Sequence, residues 1–338
     1  MENYRVGVIG VGLVGTEIIK LLRGRNFPAQ EIKVLARSAR DEEIAGKIYK
    51  VEPASIESFD GIDIAFFAGT EGAKGASQLY GWAAVERGTT VIDNGDDYRM
   101  DPRVPLVIPE VNPHHLRMHQ GFVSNPNCST IQMVLVLAPL HREVKIKRVV
   151  VSTYQAVSGT GRAAVGELER QARNVLDGGE PKPDVYPHRI AFNLIPQIGN
   201  LKDEMPGYYS EEVKMVRETR KILDEPDLAI SATCVRVPVF NGHSESINIQ
   251  FERKLTADEA RQILQEAEGV EVVDDPSASR YPTPLYASGK DMVYVGRIRE
   301  DPSTENCLDL FVVSDNIRKG AALNAVQIAE KMIEMELV

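Results

Sequence analysis

Short apolar runs alternate with segments of helical spacing through the first third of the chain. Arg5 to Ile9, Glu31 to Ala36, Ile62 to Phe67, Thr90 to Asp93 and Pro105 to Ile108 are apolar or β-branched and read as buried strands. Leu13 to Leu22 and a stretch through Ala83-Ala84-Val85 read as helices between them. Strands alternating with helices predict a parallel sheet covered on both faces. After Cys128 the pattern changes. Arg148 to Tyr154, Thr233 to Phe240, Ser246 to Phe251, Met292 to Ile298 and Cys307 to Val313 are strand candidates. Ile247, Ile249 and Phe251 alternate with polar residues, as in a half-buried antiparallel sheet. Asn241-Gly242 is a turn signal between two of these strands. Pro181 to Tyr209, rich in Pro and Gly, reads as a long loop, and Ala321 to Leu337 as an amphipathic terminal helix.

Composition narrows what such a fold does. The chain has 338 residues, 43% of them hydrophobic, enough for two domains with substantial cores. A net charge of -10 argues against nucleic acid or an anionic membrane as partner, while leaving room for a local basic pocket that binds a phosphorylated small molecule. Cys128, Cys234 and Cys307 are odd in number and form no CxxC pattern. Neither a disulfide framework nor a metal site is indicated, so a reducing cytoplasm is the expected compartment. The amino terminus runs into a strand-like segment without signal-peptide features, and no apolar stretch reaches bilayer length.

Two segments carry candidate chemistry at once. Gly10-Val11-Gly12-Leu13-Val14-Gly15 follows the first strand and opens a helix, the setting a dinucleotide fingerprint requires. Taken alone, the same pattern also suits a glycine turn in an unrelated α/β domain. The next strand ends in Arg37-Ser38 where an NAD enzyme usually has a carboxylate, which favours NADP, because a carboxylate repels a 2′-phosphate and an arginine binds it. Asn125-Pro126-Asn127-Cys128-Ser129-Thr130 leads from an apolar segment straight into a helix-length apolar run. That places the Cys128 sulfur at a helix amino end, where free N–H groups favour a thiolate. The alternative is a small buried cysteine at a strand–helix junction.

Four further segments are ambiguous by themselves. Gln155 ends a strand before the turn at Ser158-Gly159. Ser210 is a candidate N-cap for a helix in which Glu211 and Lys214 lie one turn apart, an arrangement also expected of a surface ion pair. Arg236 interrupts a valine strand, and His243 follows the Asn241-Gly242 turn, where a structural histidine is equally at home.

Together these motifs resemble the aspartate-semialdehyde dehydrogenase family along nearly the whole chain from Val6. Asn125 to Thr130 is similar to its nucleophile motif, with Gln155 at the matching spacing. Glu211 and Lys214 resemble its Glu-x-x-Lys pair, and Arg236 and His243 its arginine-to-histidine spacing. Asp93-Asn94 through Tyr98-Arg99-Met100 resembles its phosphate-arginine segment, and Val313 to Asn316 its late cofactor-contacting segment. Gly95-Asp96-Asp97 and Thr70-Glu71-Gly72 depart from the Ser- or Thr-rich stretches of relatives, and the glycine loop is one residue shorter than the usual GxxGxxG.

The resemblance implies a Rossmann-type NADP-binding domain over residues 1–128, completed by about 316–338, and an α+β catalytic and dimerisation domain over 129–315. It implies NADP-dependent interconversion of 4-aspartyl phosphate and aspartate 4-semialdehyde, in biosynthesis of lysine, threonine, methionine and isoleucine. Cys128 would be the nucleophile, His243 the general base, and Gln155 the residue orienting the acyl group. Arg236 and Glu211 would bind substrate. Arg99, Asn127 and Lys214 would bind phosphate. Ser158, Gly159 and Asn316 would contact the cofactor, and the assembly would be a homodimer or homotetramer. A related reductase of N-acetyl-γ-glutamyl phosphate is the nearest alternative, disfavoured by Glu211. A silent dinucleotide-binding sensor would have little use for Cys128, Gln155, Arg236 and His243 together.

Overall fold

The computed structural model describes residues 3–69 and 75–338, which divide into two compact units, 1–127 with 321–338 and 128–320. Thr70-Glu71-Gly72 lies outside the described residues.

The first unit contains β1 (Tyr4–Ile9), α1 (Leu13–Gly24), β2 (Ala29–Ala36), β3 (Arg40–Ile44), β4 (Lys47–Pro53), β5 (Ile64–Phe67), α2 (Ala76–Glu86), β6 (Thr90–Asp93) and β7 (Phe122–Ser124). Its seven-stranded sheet runs β3-β4-β2-β1-β5-β6-β7 and is parallel except for the antiparallel β3–β4 pair. Strand β5 shows why it must be covered on both sides. Ile64 and Phe66 pack with α1 and the terminal helix Leu323–Glu334, whereas Ala65 and Phe67 pack with Phe59, Ala84 and Phe122 on the opposite face. After β1 the chain goes to β2 on one side, then returns to β5 on the other. The carboxyl ends of β1 and β5 therefore flank the switch point, where open α/β sheets bind ligands.

Two features of this unit differ from the sequence expectation. Pro105 to Ile108 is buried but forms only one bridge, Leu106 to Ser124. The Asn112 side chain replaces a second strand there, accepting from the Ile108 N–H and donating to the Leu106 carbonyl, each at 2.9 Å. The β3–β4 hairpin has no apolar run to announce it. Its first strand is Arg-Asp-Glu-Glu-Ile, an edge strand, and its turn is Ala45-Gly46 with both residues at positive φ.

The second unit contains α3 (Cys128–Glu143), β8 (Ile146–Gln155), α4 (Arg162–Leu176), α5 (Ser210–Ile222), β9 (Ala229–Arg236), β10 (His243–Phe251), α6 (Ala257–Gln265), β11 (Val270–Val272), α7 (Pro284–Ala287), β12 (Val293–Glu300) and β13 (Cys307–Ser314). Its mixed six-stranded sheet runs β11-β12-β13-β10-β8-β9. Helix α3 packs on this sheet, and α5 packs on β9. The strand expected over Thr233 to Phe240 stops at Arg236, because Pro238 has no N–H to donate. Nor does Asn241-Gly242 close a hairpin. Strand β9 pairs in parallel with β8 alone, while β10 lies antiparallel between β8 and β13. The Asn241 side chain instead binds Asp315 Oδ2 at 2.7 Å and Ser288 Oγ at 2.8 Å.

Ser210 is the first residue of α5 rather than its cap. Tyr209 holds that position, its N–H bound by the Glu212 carboxylate at 2.7 Å. The segment 177–209 forms no helix or strand and is held to α4 by buried side chains. Glu167 accepts from the N–H groups of Asp184 and Val185, and Gln171 from those of Ile190 and Ala191.

Close packing at the first turn makes a stability prediction. A methyl group on Gly15 would lie 1.9 Å from the Gly10 carbonyl oxygen. Gly15→Ala should therefore destabilise the first unit by about 1–3 kcal/mol, the usual range for overpacking. Urea unfolding followed by Trp82 fluorescence reads this out, and an unshifted midpoint would show that the turn relaxes freely.

Candidate active site

The amino-terminal glycine turn opens onto a cleft of about 640 Å³ lined by Gly10, Gly12, Arg37, Ser38, Arg40 and Tyr80, among others. Gly10 sits at φ +101°, and a side chain on it would strike the Ala68 carbonyl, whereas nothing lies within 4 Å of the place a Gly12 side chain would take. That open space, ahead of a helix whose first N–H groups have no side-chain cap, suits a pyrophosphate. Val11 lines the cleft, Leu13 starts α1, and Val14 packs on the core behind it. Among the described lining residues there is no carboxylate. Arg40 stands on the cleft beside Arg37, its Nη1 on the Ser38 carbonyl at 3.3 Å and its Nε on Glu42 at 3.0 Å.

At the end of β6 a second polar cluster forms around Arg99, which is buried. Its Nε donates to the Asn125 carbonyl at 3.0 Å and its Nη2 to the Asn94 carbonyl at 2.8 Å. Asn125 in turn binds Asn94 and, through Asn324, the terminal helix. Two of the carboxylates that the sequence sets near Arg99 accept hydrogen bonds from other groups as well. Asp97 accepts from Gln78 at 2.8 Å. Asp93 accepts from the Ser77 hydroxyl at 2.7 Å and the Gly95 N–H at 2.9 Å. Burial nevertheless raises the Asp93 carboxyl to about 6. Asn127 is buried at the end of this unit.

The second unit assembles the remaining residues by strand register. Gln155 pairs with Arg236 across β8–β9, and His243 with Ser314 across β10–β13. Ser244 pairs with Tyr154, which sets His243 beside Gln155. Arg236, Gln155, His243 and Ser314 thus form one buried row across four strands. The Ala156 backbone ties the row together. Its N–H donates to His243 Nδ1 at 3.0 Å, and its carbonyl accepts from Arg236 Nη1 at 2.7 Å. Arg236 Nε and His243 Nε2 are buried with no hydrogen-bond partner among the described residues. Burial, and then the Arg236 charge, hold the His243 imidazole well below its ordinary value.

Helix α5 brings Glu211 to the row, where it accepts from Gln155 Nε2 at 3.1 Å; Thr153 Oγ1 donates to the other end of that amide at 3.0 Å. Lys214 lies 3.8 Å from Glu211, the more exposed partner of a partly buried pair. Cys128 opens α3 with its sulfur at the helix amino end, half-buried. One turn on, Gln132 accepts from the Ser314 hydroxyl at 2.6 Å, joining α3 to the row. Ser158 and Asn316 bind each other at 2.9 Å, and Gly242 N–H caps the Asn316 amide oxygen at 2.9 Å. Gly159 packs so closely that a methyl group on it would lie 3.1 Å from both His243 Nε2 and Arg236 Nη1.

Two participants went unread in the sequence. Gly320 abuts Cys128, with 3.1 Å between its would-be side chain and the cysteine Cβ. The Tyr186 ring lies over the Arg236 guanidinium at 6.0 Å, and its hydroxyl donates to Thr160 at 3.0 Å. An aromatic in a Pro-rich loop was the only local signal for Tyr186. Gly320 had none.

Comparison with known proteins agrees with this division. A semialdehyde dehydrogenase NAD binding domain model matches residues 5–119, and a semialdehyde dehydrogenase dimerisation domain model matches 137–319. An aspartate-semialdehyde dehydrogenase of Aquifex aeolicus is 48% identical over 347 aligned positions, covering 99% of this chain and all of the relative. One from Bacillus subtilis is 46% identical over 349, covering 100% and 99%. Aspartate semialdehyde dehydrogenase II of Vibrio cholerae, solved in complex with ASA, superposes with a TM-score of 0.93 at 39% identity over 99% of both chains. The Candida albicans enzyme, solved with NADP, gives 0.76 at 25% identity over the full length of both.

The raised Asp93 carboxyl makes stability depend on pH. The folded chain keeps a proton that the unfolded chain releases between pH 3.8 and about 6, so this group's contribution falls as pH rises through that window and is fully lost above it. The whole effect is of order 3 kcal/mol, from roughly two pKa units. Asp93→Asn should lose less stability than the parent between pH 4 and 6.5 in denaturant titrations (about those limits, from the same linkage). Parallel curves for the two proteins would show that the acid is not buried in solution.

Proposed function

We infer the working of this site from one premise: the chain belongs to the aspartate-semialdehyde dehydrogenase family. It is an oxidoreductase of that activity and uses a nicotinamide dinucleotide. The specific cofactor we propose is NADP, supported by Arg37, Ser38 and Arg40 on a cleft without a described carboxylate. The glycine turn Gly10 to Gly15 would hold the pyrophosphate, and Ser158, Gly159 and Asn316 would contact the nicotinamide half.

The observation that carries the mechanism is the buried row of Arg236, Gln155 and His243 beside the helix opened by Cys128. Arg236 has one nitrogen on the Ala156 carbonyl and its Nε without a partner among the described residues, so its remaining edge can take the substrate α-carboxylate. Glu211 would take the α-ammonium group. In the oxidative direction the Cys128 thiolate attacks the aldehyde carbon; a C–S bond forms and the carbonyl electron pair moves to oxygen. The dinucleotide held by the Gly10 to Gly15 turn, with its nicotinamide half at Ser158, Gly159 and Asn316, would supply the hydride acceptor or donor, while Cys128 holds the carbon as a hemithioacetal before oxidation and as a thioester after it. An oxygen of hydrogen phosphate then attacks the thioester, the C–S bond breaks, the thiolate is restored, and the phosphate proton is released. Lys214 in the second unit, and Arg99 and Asn127 in the first, are the proposed phosphate-binding groups.

His243 takes a particular part in this scheme. A backbone N–H can only donate, so Nδ1 facing the Ala156 N–H must carry a lone pair. The neutral ring then bears its hydrogen on Nε2, the nitrogen without a partner among the described residues. We propose that this N–H stabilises the developing substrate oxyanion, as pre-organised donors do. On this proposal His243, expected from the sequence to be the general base, acts as a donor. A homodimer built through the second unit is the proposed assembly.

Phosphate-dependent reduction of NADP by aspartate semialdehyde tests the scheme. Cys128→Ala should lower kcat by about a thousandfold or more, as loss of a nucleophile does. Arg37→Ala should raise KM for NADP on the order of tenfold while KM for NAD stays near its parent value. An active Cys128→Ala variant, or equal effects on both cofactors, would overturn the corresponding assignment. In ¹⁵N spectra at neutral pH, His243 should show a protonated Nε2 and a bare Nδ1; an imidazolium would refute the donor role.

A further inference from the structure

Directly behind the row lies an acid with no part in the chemistry above. Glu245 is two residues beyond His243 on β10, on the same buried face, between Thr153 of β8 and Val312 of β13. It is fully buried, and neither carboxyl oxygen has a hydrogen-bond partner among the described residues. Burial pushes its carboxyl well above the usual carboxylate range, and only the Gln132 amide pulls it back. Gln132 is itself fully buried in an otherwise apolar stretch of α3, four residues after Cys128 and so on the same side of the helix. Its oxygen accepts from Ser314 at 2.6 Å, while its nitrogen stands near Glu245 without completing an aligned bond.

We propose that Glu245 is a positioning residue: with Gln132 and Ser314 it sets the first turn of α3, and so the Cys128 sulfur, against the strand row that carries His243. This rests on the reading of Cys128 as the nucleophile. Apolar contacts between a helix and a sheet are non-directional and leave small slides inexpensive. A buried amide bonded to the Ser314 hydroxyl and facing the Glu245 carboxyl restricts that freedom, because a slide would break the hydroxyl bond where neither group can reach water. The carboxyl serves in its neutral form. The other titratable and charged groups near this region are Cys234 on β9, on which Glu211, Glu212 and Glu245 all act, and His243 and Arg236 in the row. An ionised Glu245 would place a negative charge below the thiolate and beside His243, opposing the first and favouring the imidazolium of the second.

The test uses the full-length enzyme with Glu245→Gln, Glu245→Leu, Gln132→Met and the Glu245→Leu/Gln132→Met double variant. Readouts are kcat and KM for aspartate semialdehyde, thermal midpoint, and the pH dependence of Cys128 alkylation by iodoacetamide, followed on the Cys128 peptide by mass spectrometry. Glu245→Gln keeps an uncharged polar group of the same shape and should retain kcat within about twofold, with an unchanged alkylation profile. Glu245→Leu and Gln132→Met should each lower kcat on the order of tenfold, as small displacements of reacting groups do, with little change in KM and a raised alkylation midpoint. The double variant should lose no more than either single one, because the two act as a unit.

A Glu245→Leu enzyme that loses only thermal stability would overturn the proposal. So would additive losses in the double variant, or a shifted profile in Glu245→Gln. If Glu245→Leu does not fold, Gln132→Met and Glu245→Gln still decide between these outcomes. Cys128→Ala run alongside separates the two failures, since turnover in that variant would remove the nucleophile assignment itself.

Discussion

Both backbone groups of Ala156 are bound to buried side chains of the candidate site: the N–H to His243 and the carbonyl to Arg236. Neither contact depends on a rotamer of Ala156, so both are set by where β8 ends and how it is paired. Strand β8 runs parallel to β9 on one side and antiparallel to β10 on the other. That register delivers Arg236, Gln155 and His243 to one face. A slip of one residue would turn a strand's whole contribution to the opposite face, which is why register is strongly specified where one face is buried. The apolar residues of β8 and β10, among them Val149, Val151, Ile247 and Ile249, are therefore as necessary to the chemistry as the polar ones.

Burial gives this row its electrostatic character. The protein carries ten net negative charges, yet no carboxylate pairs with Arg236 among the described residues; a carbonyl and the Tyr186 ring hold it instead. A guanidinium held this way keeps its charge for an anionic ligand, and a buried setting strengthens that attraction. The same burial favours the uncharged forms of His243 and Glu245. Four polar side chains in a water-poor layer thus sort into one cation, one amide and two neutral acid–base groups, and each state follows from its immediate neighbours. Glu211, at the edge of the layer, accepts from Gln155 and pairs with Lys214.

Much of the first unit was legible locally. The strand–helix alternation, the glycine turn and the Arg37-Ser38 end of β2 are encoded within about ten residues, and their physics is equally local: pleat, helical period and the sterics of glycine. Where that reading went astray, a side chain or a strand pairing that no apolar pattern announces had intervened. Pro105 to Ile108 looked like a strand, but Asn112 satisfies its backbone. Asn241-Gly242 looked like a hairpin turn, but β10 pairs with β8 and β13, and Asn241 is drawn to Asp315. Charged β3 was passed over because an edge strand needs no apolar pattern.

By itself the sequence determined which groups were available: a cysteine at a helix start, a glutamine at a strand end, and an arginine and a histidine seven residues apart. Their likeness to a known family made those groups a candidate site. Tertiary structure alone decided how they act. Ala156 and His243 lie 87 positions apart in the chain, and no local pattern records the hydrogen bond between them. The tautomer of His243, the covering of Arg236 by Tyr186 and the seclusion of Glu245 behind the row all depend on which strands are neighbours. Strand pairing is a property of the packed sheet, fixed by burying many apolar residues at once, and it cannot be read from any one segment.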